Sequence, residues 1–448
     1  MALEVQTPTR SLARYAATIR YEELPAEVIE MARRCLVDWL GIAIAGSRQP
    51  LSPILRATID QLGGHPQATV VGLGTRTSTA QAALVNATFA HSIDYDDVHI
   101  RSGLHPSAPV WAAALALAEW KQASAAEATA AFVAGYEVMV RIGLVTGMPM
   151  VEQNFHPTGT LGYFGAAAAA GRLLGLDENR MAMAFGIAAG QAGALIQVRG
   201  TMSKPFFAGH SAQGGVWSAL MAANGFESAT NAIEGPEGVL ATFAKDCETG
   251  RAFADLGKRY ELLTNGFKAY AACAMIHPML DGLLEIRRKI TPDPSQIAEI
   301  RVGLYPYATE YLNRPEVTTG LAGKFSVQYC ASVALLDGQA QELQFTDARA
   351  GDPVLRRLAE RVRLVPVEGM PIDQSEVEVR LNDGQTHSRR IDAVSGSPAK
   401  PMSWDDLAVK FESLAGLSCP AERVSELLDR LAAWPSTEVG RLLALTVP

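Results

Sequence analysis

Apolar residues in the first 46 positions recur every three or four residues, which is the period of an amphipathic helix. Two helices are predicted there, PTRSLARYAATIRYEELP and PAEVIEMARRCLVDWLGIAIAGS, with Pro25 suited to the first turn of the second. The segment 63–78, GGHPQATVVGLGTRTS, has turn residues around a short β-branched run and predicts a loop or an edge strand. Helical spacing returns in AQAALVNATFAHS, so the chain reaches His91 where a helix gives way to a loop.

The stretch from 108 to 225 consists of helical runs rich in alanine and glycine, among them APVWAAALALAEWKQ, TGTLGYFGAAAAAGRLLGL and GHSAQGGVWSALMAANGF. Glycine inside a helix costs about 1 kcal/mol relative to alanine. Such helices therefore need compensation from tertiary contacts. Small residues on facing helices allow their backbones to approach closely, so this region is predicted to be a tightly packed bundle.

After Gly266 the pattern changes to alternating apolar and polar residues. IAEIRVGLYPYA, RVRLVPVE and SEVEVRLNDGQTHSRRIDA read as strands, and the Asn-Asp-Gly at 382–384 marks a hairpin. From Ser403 onward helical spacing returns. We therefore predict a mainly α protein, with a large all-helical domain formed by both chain ends (1–265 and 402–448) and a smaller inserted α+β lid domain (266–401).

Composition narrows the class of function. The 448 residues are 48% hydrophobic and 19% charged, and the net charge is −8. A nucleic-acid or anionic-membrane surface needs a basic excess, so neither partner is expected. The N-terminus lacks the apolar core of a signal peptide and the apolar runs look too short for a membrane span, which predicts a cytoplasmic protein. Five scattered cysteines without a CxxC pair favour neither a disulfide framework nor a zinc or iron–sulfur site.

The window from His91 to Ser107, HSIDYDDVHIRSGLHPS, concentrates candidate chemistry because it holds three of the chain's eight histidines and three aspartates. An acid/base or anion-handling site would account for that density. A loop whose aspartates cap their own turns is the simpler alternative. His91 and His99 are interpreted as structural rather than catalytic.

Four of the eight histidines directly precede proline: His65, His105, His156 and His277. Proline disfavours the α conformation in its predecessor and is well placed to begin a helix, so these histidines should lie at helix entries. His65 belongs to a GGHPQ turn and is predicted to be at the surface. The other three have charged or hydroxyl-bearing neighbours in sequence, although any one of them alone could be a capping or core residue.

Basic residues at three positions are candidates for binding the carboxylate groups of a substrate. Arg199 and Lys204 come shortly before a glycine-rich helix start, where backbone N–H groups and the helix dipole favour an anion. Lys268 lies nine residues before His277 and is flanked by Phe267 and Tyr270. An average lysine is solvated, but apolar neighbours favour a buried, anion-paired one.

Two other chemistries have weaker support. The histidines and aspartates of the 91–107 window could ligate a metal, but their spacing matches no strong template such as HExxH, so no metal is expected. Nucleophilic catalysis lacks a GxSxG motif, and Cys273 beside His277 has an uncertain approach. No cofactor is expected either.

Five stretches taken in order resemble the MmgE/PrpD family, which includes 2-methylcitrate dehydratase, cis-aconitate decarboxylase and iminodisuccinate epimerase. They are AHSIDYDDVH with the following HPS, HPTGTLGYFGAAAAAGRLLGL, RGTMSKPFFAGHSAQGG, NGFKAYAACAMIHP and FSVQYCASVALLDG. The resemblance covers nearly the whole chain. It implies a helical domain with an inserted lid, a cleft between them, a metal-free site and a homodimer.

Carried over to this chain, the family's site falls on Asp94, His105, His156, Lys204, Lys268 and His277. The resemblance implies carbanion-type chemistry beside a carboxylate, whose developing charge is stabilised by preorganised cations. Lys204 and Lys268, with Arg199, are assigned to substrate binding. His105, oriented by Asp94, is assigned to proton transfer, and His156 and His277 to protonating a leaving hydroxyl or orienting the substrate.

The expected function is a cofactor-independent lyase for a small di- or tricarboxylate, first of all a 2-methylcitrate dehydratase-like hydro-lyase. An epimerase of an iminodisuccinate-like diacid, a cis-aconitate decarboxylase-like carboxy-lyase and a non-catalytic carboxylate-binding dimer are the alternatives. Members with the decarboxylase pattern carry a hydroxyl residue where this chain has Val98, and the same constellation can serve all three reactions.

Overall fold

The computed structural model describes residues 7–245, 247–291 and 293–447. These residues are mostly helical, and a small mixed sheet lies in the C-terminal part of the chain. The mainly α class predicted from the spacing of apolar residues is thereby confirmed at this level.

The α-helices of the described residues are numbered in chain order. They are α1 (Pro8–Thr18), α2 (Ala26–Gly46), α3 (Leu51–Leu62), α4 (Thr79–Ser92), α5 (Ser107–Lys121), α6 (Ala125–Glu152), α7 (Pro157–Leu173), α8 (Glu178–Ala189), α9 (Ser203–Ala223), α10 (Val239–Phe243), α11 (His277–Ile290), α12 (Pro306–Tyr311), α13 (Gly320–Gly323), α14 (Val327–Asp337), α15 (Asp347–Ala350), α16 (Pro353–Ala359), α17 (Trp404–Ala415), α18 (Ala421–Ala432) and α19 (Val439–Ala444).

The strands form two sheets. They are β1 (Ala68–Val70), β2 (Thr75–Thr77), β3 (Ile297–Leu304), β4 (Val362–Pro366), β5 (Ser375–Leu381) and β6 (Thr386–Ile391). β1 and β2 make an antiparallel pair, and the larger sheet has the order β4-β3-β5-β6, with β3 parallel to β4 and antiparallel to β5. The predicted hairpin at 382–384 joins β5 to β6, and Gly384 has the positive φ of 88° that such a turn favours.

Local sequence accounts for several helix starts. Ser124 and Glu127 form a capping box at the start of α6, and Asp177 caps α8 through the backbone N–H of Arg180. His156 itself is the N-cap of α7, because its Nδ1 accepts a hydrogen bond from the backbone N–H of Gly159. A candidate catalytic side chain is therefore part of a helix end.

By their internal contacts the described residues divide into two compact units. Unit 1 comprises those of Met1–Ser92, Asp96–Asn265 and Trp404–Pro448, and unit 2 comprises those of Ile93–Tyr95 and Gly266–Ser403. The chain thus leaves unit 1 for three residues inside the 91–107 window. That residues 266–401 form an independent lid domain stays a prediction.

Three expectations from the sequence need correction. Unit 1 is not all-helical, because β1 and β2 form a small hairpin in it. The stretch from 108 to 225 was predicted to consist of helical runs, but α8 ends at Ala189 and an irregular segment follows before α9. In addition, α9 begins at Ser203 rather than near Gly209, so Lys204 lies in its first turn instead of before it.

The helix α6 is longer than the sequence pattern indicated. It has 28 residues and is apolar enough to cross a membrane by length and composition, but 94% of its most apolar window is buried in the protein. Core helices of globular proteins pass the same test, so α6 is weak evidence for a membrane span. Its Arg141 is fully buried and pairs with Glu137 one turn earlier.

Glycines determine how closely the helices of unit 1 pack. A Cβ atom at Gly162 of α7 would lie 2.2 Å from Ser211 Oγ of α9, and one at Gly215 would lie 2.4 Å from the Cβ of Ala166. Because the contacting residue numbers rise together along both helices, α7 and α9 run parallel. Their N-terminal ends therefore lie on the same side of the bundle, which positions the site described next.

Candidate active site

Three helix N-terminal ends of unit 1 carry sequence-predicted site residues. His105 lies just before α5, His156 caps α7 and Lys204 lies in the first turn of α9. The backbone N–H of His105 donates to Thr158 Oγ1 over 3.0 Å, which ties the start of α5 to the start of α7. A helix N-terminus carries a partial positive charge, so this end of the bundle favours an anion.

The starts of α7 and α9 are in direct contact. A Cβ atom at Gly159 would lie 3.0 Å from the Cβ of Phe207 and 3.3 Å from Nδ1 of His156. Only glycine permits this approach without a shift of its neighbours. Gly159, the third residue after His156, thus lets Lys204, three residues before Phe207, belong to the same helix end as His156.

The hydrogen bonds of two histidines assign different tautomers to them. His105 Nδ1 lies 2.8 Å from the carbonyl oxygen of Asp97, which can only accept, so Nδ1 carries the proton and Nε2 of the neutral ring has the lone pair. His156 Nδ1 accepts from the N–H of Gly159, so Nε2 carries the proton of its neutral ring. These tautomers follow from the hydrogen-bond partners. His105 therefore presents a lone pair that can act as a base, and His156 presents an N–H that can act as a hydrogen-bond donor.

His91 joins these rings. It ends α4, is 1% exposed, and its ring centroid lies 5.0 Å from that of His105 and 5.7 Å from that of His156. Its Nδ1–H donates to Asp96 Oδ2 over 2.7 Å, and the same oxygen lies 3.5 Å from His105 Nδ1. We call His91, Asp96, His105 and His156 the histidine cluster. Sequence reasoning interpreted His91 as structural, and only its position in the window pointed to the cluster.

Asp97 contacts the histidine cluster through its backbone carbonyl, and its carboxyl accepts hydrogen bonds from the start of α5. Its fully buried carboxyl accepts from Ser107 Oγ over 2.7 Å and from the Ser107 N–H over 3.3 Å, at the first residue of α5. Burial raises the pKa of Asp97 to about 8 against these hydrogen bonds, and the neighbouring Asp38 and Asp96 raise it further. Asp97 caps a helix, as the simpler interpretation of the aspartates predicted, while its carbonyl orients His105.

His99 has the structural role expected for it. Its ring nitrogens hydrogen-bond the hydroxyls of Ser102 and Thr264, each over 2.8 Å, and the side chain is buried. Burial lowers the pKa of His99 to about 4, so the ring is neutral at physiological pH.

Three members of the histidine cluster could in principle hold a metal ion, since ligand atoms of His91, Asp96 and His105 lie within 4.8 Å of one another. Nδ1 of His91 and Nδ1 of His105 both face oxygen acceptors and carry protons, so either ring could ligate a metal only through Nε2. That the site works without a metal stays a prediction.

Unit 2 holds the other predicted site residues. Lys268 is 1% exposed, and its Nζ lies 3.1 Å from Asp94 Oδ2 and donates to the Asp94 carbonyl over 2.9 Å. Asp94 has a φ of 51°, which is rare for a residue other than glycine. Lys268 and Asp94 are thus brought together, as predicted, but as a buried ion pair with each other.

His277 opens α11 and is buried, with Nε2 donating to the Ala272 carbonyl over 3.1 Å. The ring of Tyr270 packs edge-on against it at 5.2 Å between centroids. Tyr270 in turn donates to Asp281 Oδ1 over 2.5 Å, and burial raises the pKa of the phenol. The helix entry predicted for His277 is confirmed.

The structure therefore groups the predicted residues by unit. His105, His156 and Lys204 belong to helix starts of unit 1, whereas Asp94, Lys268 and His277 belong to unit 2. Arg199 is partly exposed in the irregular segment before α9. That Asp94 orients His105, and that Arg199 binds substrate, stay predictions. The sequence analysis left open which aspartate of the window is functional and did not consider the buried Lys324, whose partner Ile93 lies 231 positions away.

The MmgE/PrpD N-terminal domain matches residues 10–251 and the MmgE/PrpD C-terminal domain matches residues 270–433. This chain belongs to the MmgE/PrpD family.

Curated relatives align over almost the full chain. Cis-aconitate decarboxylase of Aspergillus terreus is 27% identical, over 98% of this chain and 95% of the relative. Cis-aconitate decarboxylase of Homo sapiens is 28% identical, over 94% of this chain and 90% of the relative. The enzyme of the same name from Mus musculus is 27% identical, over 95% and 90%.

Proposed function

We propose that this protein is a carboxy-lyase that removes CO₂ from cis-aconitate or a closely similar unsaturated tricarboxylate. The observation that carries the proposal is the meeting of three helix N-terminal ends in unit 1, with His105, His156 and Lys204 on them. The names of the relatives support decarboxylation over the dehydration that the sequence analysis put first.

The site suits the charge that this reaction develops. When CO₂ leaves, the electron pair of the broken C–C bond stays on the substrate and spreads over the neighbouring double bond and carboxylate. The Lys204 ammonium and the N-terminal N–H groups of the helices would stabilise that charge. Because these groups are held in place by helix packing, little reorganisation is needed during the reaction.

The reaction ends when a proton is delivered to carbon. Of the two tautomers, that of His156 presents an Nε2–H and that of His105 an Nε2 lone pair. His105 is the proposed proton donor: its Nε2 takes up a proton from solvent, delivers it to the substrate carbon and returns to the neutral ring. The Nε2–H of His156 would donate a hydrogen bond to a substrate carboxylate, and His91 with Asp96 would hold both rings in position. Roles for Asp94, Lys268 and His277 in this reaction stay predictions.

Dehydration of a 2-methylcitrate-like substrate is the second candidate. It needs a base to remove a proton and an acid to protonate the departing hydroxyl, and the two tautomers match that requirement. Val98, where members with the decarboxylase pattern carry a hydroxyl residue, also favours a reaction other than decarboxylation. Epimerisation of an iminodisuccinate-like diacid and carboxylate binding without turnover are further alternatives.

Proton NMR in D₂O separates these reactions in one experiment. The purified protein is incubated with cis-aconitate, 2-methylcitrate, citrate, malate, tartrate and iminodisuccinate. Loss of CO₂ from cis-aconitate, with deuterium entering beside the remaining carboxylates, is the expected result. A vinylic product from 2-methylcitrate would favour dehydration, and deuterium exchange without elimination would favour epimerisation. Spectra that stay unchanged with every one of these carboxylates would contradict the proposal.

Independence from metals is tested in the same assay. We expect EDTA to leave the rate unchanged, because the resemblance to the family implies a site that works without a metal. Loss of activity on chelation, with recovery on adding one metal back, would contradict that expectation. The predicted homodimer and the cytoplasmic location also stay predictions.

A further inference from the structure

Two buried lysines of unit 2 hold the backbone of the three-residue segment Ile93–Tyr95. Lys324 Nζ donates to the Ile93 carbonyl over 2.6 Å, and Lys268 Nζ donates to the next carbonyl, that of Asp94, over 2.9 Å. The Tyr95 hydroxyl donates to the Ala269 carbonyl over 3.1 Å and also contacts Gln341. Each residue of the segment is thus fixed by a residue far away in sequence. We call this arrangement the lysine clamp.

All three N–H donors of the Lys324 ammonium have acceptors within unit 2. Besides the Ile93 carbonyl it donates to the Ala271 carbonyl over 3.1 Å and to Glu342 Oε2 over 2.6 Å. An ammonium has three donors, so these acceptors use all of them. Its side chain is 2% exposed and lies 4.8 Å from the ring centroid of Phe345. Such a lysine is placed to hold the protein's own backbone and not a substrate carboxylate.

The clamp holds a backbone conformation that the chain would not adopt by preference. Asp94 has a φ of 51°, in the left-handed region that a residue with a Cβ atom rarely occupies. Such a conformation persists only where the surroundings over-determine it. The carbonyls on either side of the Asp94 N–Cα–C unit are bound by Lys324 and Lys268, so the clamp acts on the torsions that orient the Asp94 side chain.

We propose that Lys324 is a positioning residue: with Lys268 it fixes the Ile93–Tyr95 backbone and so determines where the Asp94 carboxylate points. The proposal rests on the proposed function and on the prediction from the sequence that Asp94 takes part in that reaction. Within the segment Ile93–Tyr95, Lys268 contacts both the carbonyl and the carboxylate of Asp94, whereas Lys324 contacts only the Ile93 carbonyl. Removing Lys324 therefore disturbs the orientation of Asp94 without removing its ion-pair partner.

The test compares Lys324→Met with Lys410→Met. Lys410 is a buried lysine of unit 1 that pairs with Asp38 over 2.6 Å, so its removal also leaves a buried carboxylate without its cation. Hydrogen exchange is followed by mass spectrometry in peptides that contain residues 93–97, and kcat and KM are measured with the substrate found in the NMR panel. Lys324→Arg tests rescue by a second cation, and Glu342→Gln perturbs Lys324 if the Met variant does not fold.

In Lys324→Met we expect exchange in residues 93–97 to be faster by roughly tenfold or more, while Lys410→Met leaves these residues near the wild-type rate. We also expect kcat to fall by roughly tenfold or more with KM changed by less than about threefold, because a misdirected Asp94 affects the chemical step and not binding. Lys324→Arg should recover part of the kcat. Glu342→Gln should move both readouts in the same direction by less.

Either of two results would overturn the proposal. Exchange in residues 93–97 that is unchanged in Lys324→Met would show that the lysine does not hold the segment. Faster exchange with wild-type kcat would show that the held geometry does not serve the reaction. If the wild-type protein turns over none of the carboxylates, the proposed function fails, and the exchange comparison alone decides whether Lys324 positions the segment.

Discussion

The histidine cluster of unit 1 and the lysine clamp of unit 2 both bury titratable side chains, but these side chains are stabilised by different partners. The cluster uses rings that are neutral in either tautomer, with one nitrogen of each committed to a backbone or carboxylate partner. The clamp uses lysine ammonium groups that donate to carbonyls and carboxylates. Burying a charge is costly unless it is paired. Imidazole rings suit proton transfer, whereas the ammonium groups of the clamp hold a strained backbone.

The two regions start from the same stretch of chain. His91 and Asp96 belong to the cluster, while Ile93, Asp94 and Tyr95 between them belong to the clamp. A window that looks like one motif in the sequence therefore serves two physical tasks. The following experiments separate these tasks, beginning with the largest expected effect.

Substituting the histidines that carry the assigned tautomers should have the largest effect. We expect His105→Ala to lower kcat by roughly 10²–10⁴-fold, the usual contribution of a positioned proton-transfer group, and His156→Ala to lower it by roughly 10²–10³-fold, the usual contribution of one donor to a developing negative charge. The matched control is His65→Ala, which removes a histidine that also precedes proline but is exposed. Steady-state kinetics with the substrate identified by NMR measure the effect. An unchanged rate in His105→Ala would remove that residue from the mechanism.

Asp97 should make stability depend on pH in a direction opposite to that of most carboxylates. Its pKa is raised to about 8 by burial, so between about pH 4 and pH 8 the folded protein keeps a proton that the unfolded chain has released. Stability is then lost as the pH rises through this window, on the order of several kcal/mol. Asp97→Asn removes this pH-dependent contribution, so its stability relative to wild type should increase from pH 5 to pH 8 and level off above that.

Denaturant unfolding of both proteins at several pH values measures that difference. His99, whose pKa is lowered to about 4, contributes the reverse trend between about pH 4 and pH 6.5, but it is present in both proteins and cancels. Parallel curves for wild type and Asp97→Asn would mean that the Asp97 carboxyl titrates normally.

Close helix packing around the cluster is tested by Gly209→Ala in α9. A Cβ atom there would lie 2.1 Å from Thr88 Oγ1 and 2.3 Å from the Leu84 carbonyl oxygen, both in α4, the helix that ends at His91. We expect the free energy of unfolding to fall by about 3 kcal/mol, since overpacking a rigid contact has costs of this size. Gly193→Ala, which meets nothing within 4 Å, should change it by less than about 0.5 kcal/mol. Equal effects would contradict the packing argument.

The smallest expected effect concerns binding. Lys204→Ala should weaken the affinity for an unreactive tricarboxylate such as tricarballylate by roughly 10–100-fold, the value of one charge-assisted hydrogen bond. Lys121→Ala removes an exposed lysine from the other end of α5 and should leave the affinity unchanged. Isothermal titration calorimetry measures both. If the two variants bind equally well, Lys204 does not contribute to an anion site.

Local rules predicted a large part of this protein from its sequence. The helical spacing before residue 46 and between 108 and 225, the alternation in the three C-terminal strand segments, and the hairpin at 382–384 all correspond to elements of the structure. The His-Pro rule placed His105, His156 and His277 at helix entries and His65 at the surface. These successes share a cause, because each depends on the conformational preferences of neighbouring residues.

Tertiary structure alone decided how these elements serve a site. His91 meets His156 because α4 and α7 pack in one bundle, and Lys324 reaches Ile93 across 231 positions of sequence. The tautomers of His105 and His156 and the raised pKa of Asp97 depend on which buried atoms face each side chain. The spacing of residues along a chain does not predict such partners. The sequence by itself therefore determined which residues could do chemistry and which helix ends would present them, whereas burial and tertiary contacts determined which of them meet in the histidine cluster and which hold the backbone.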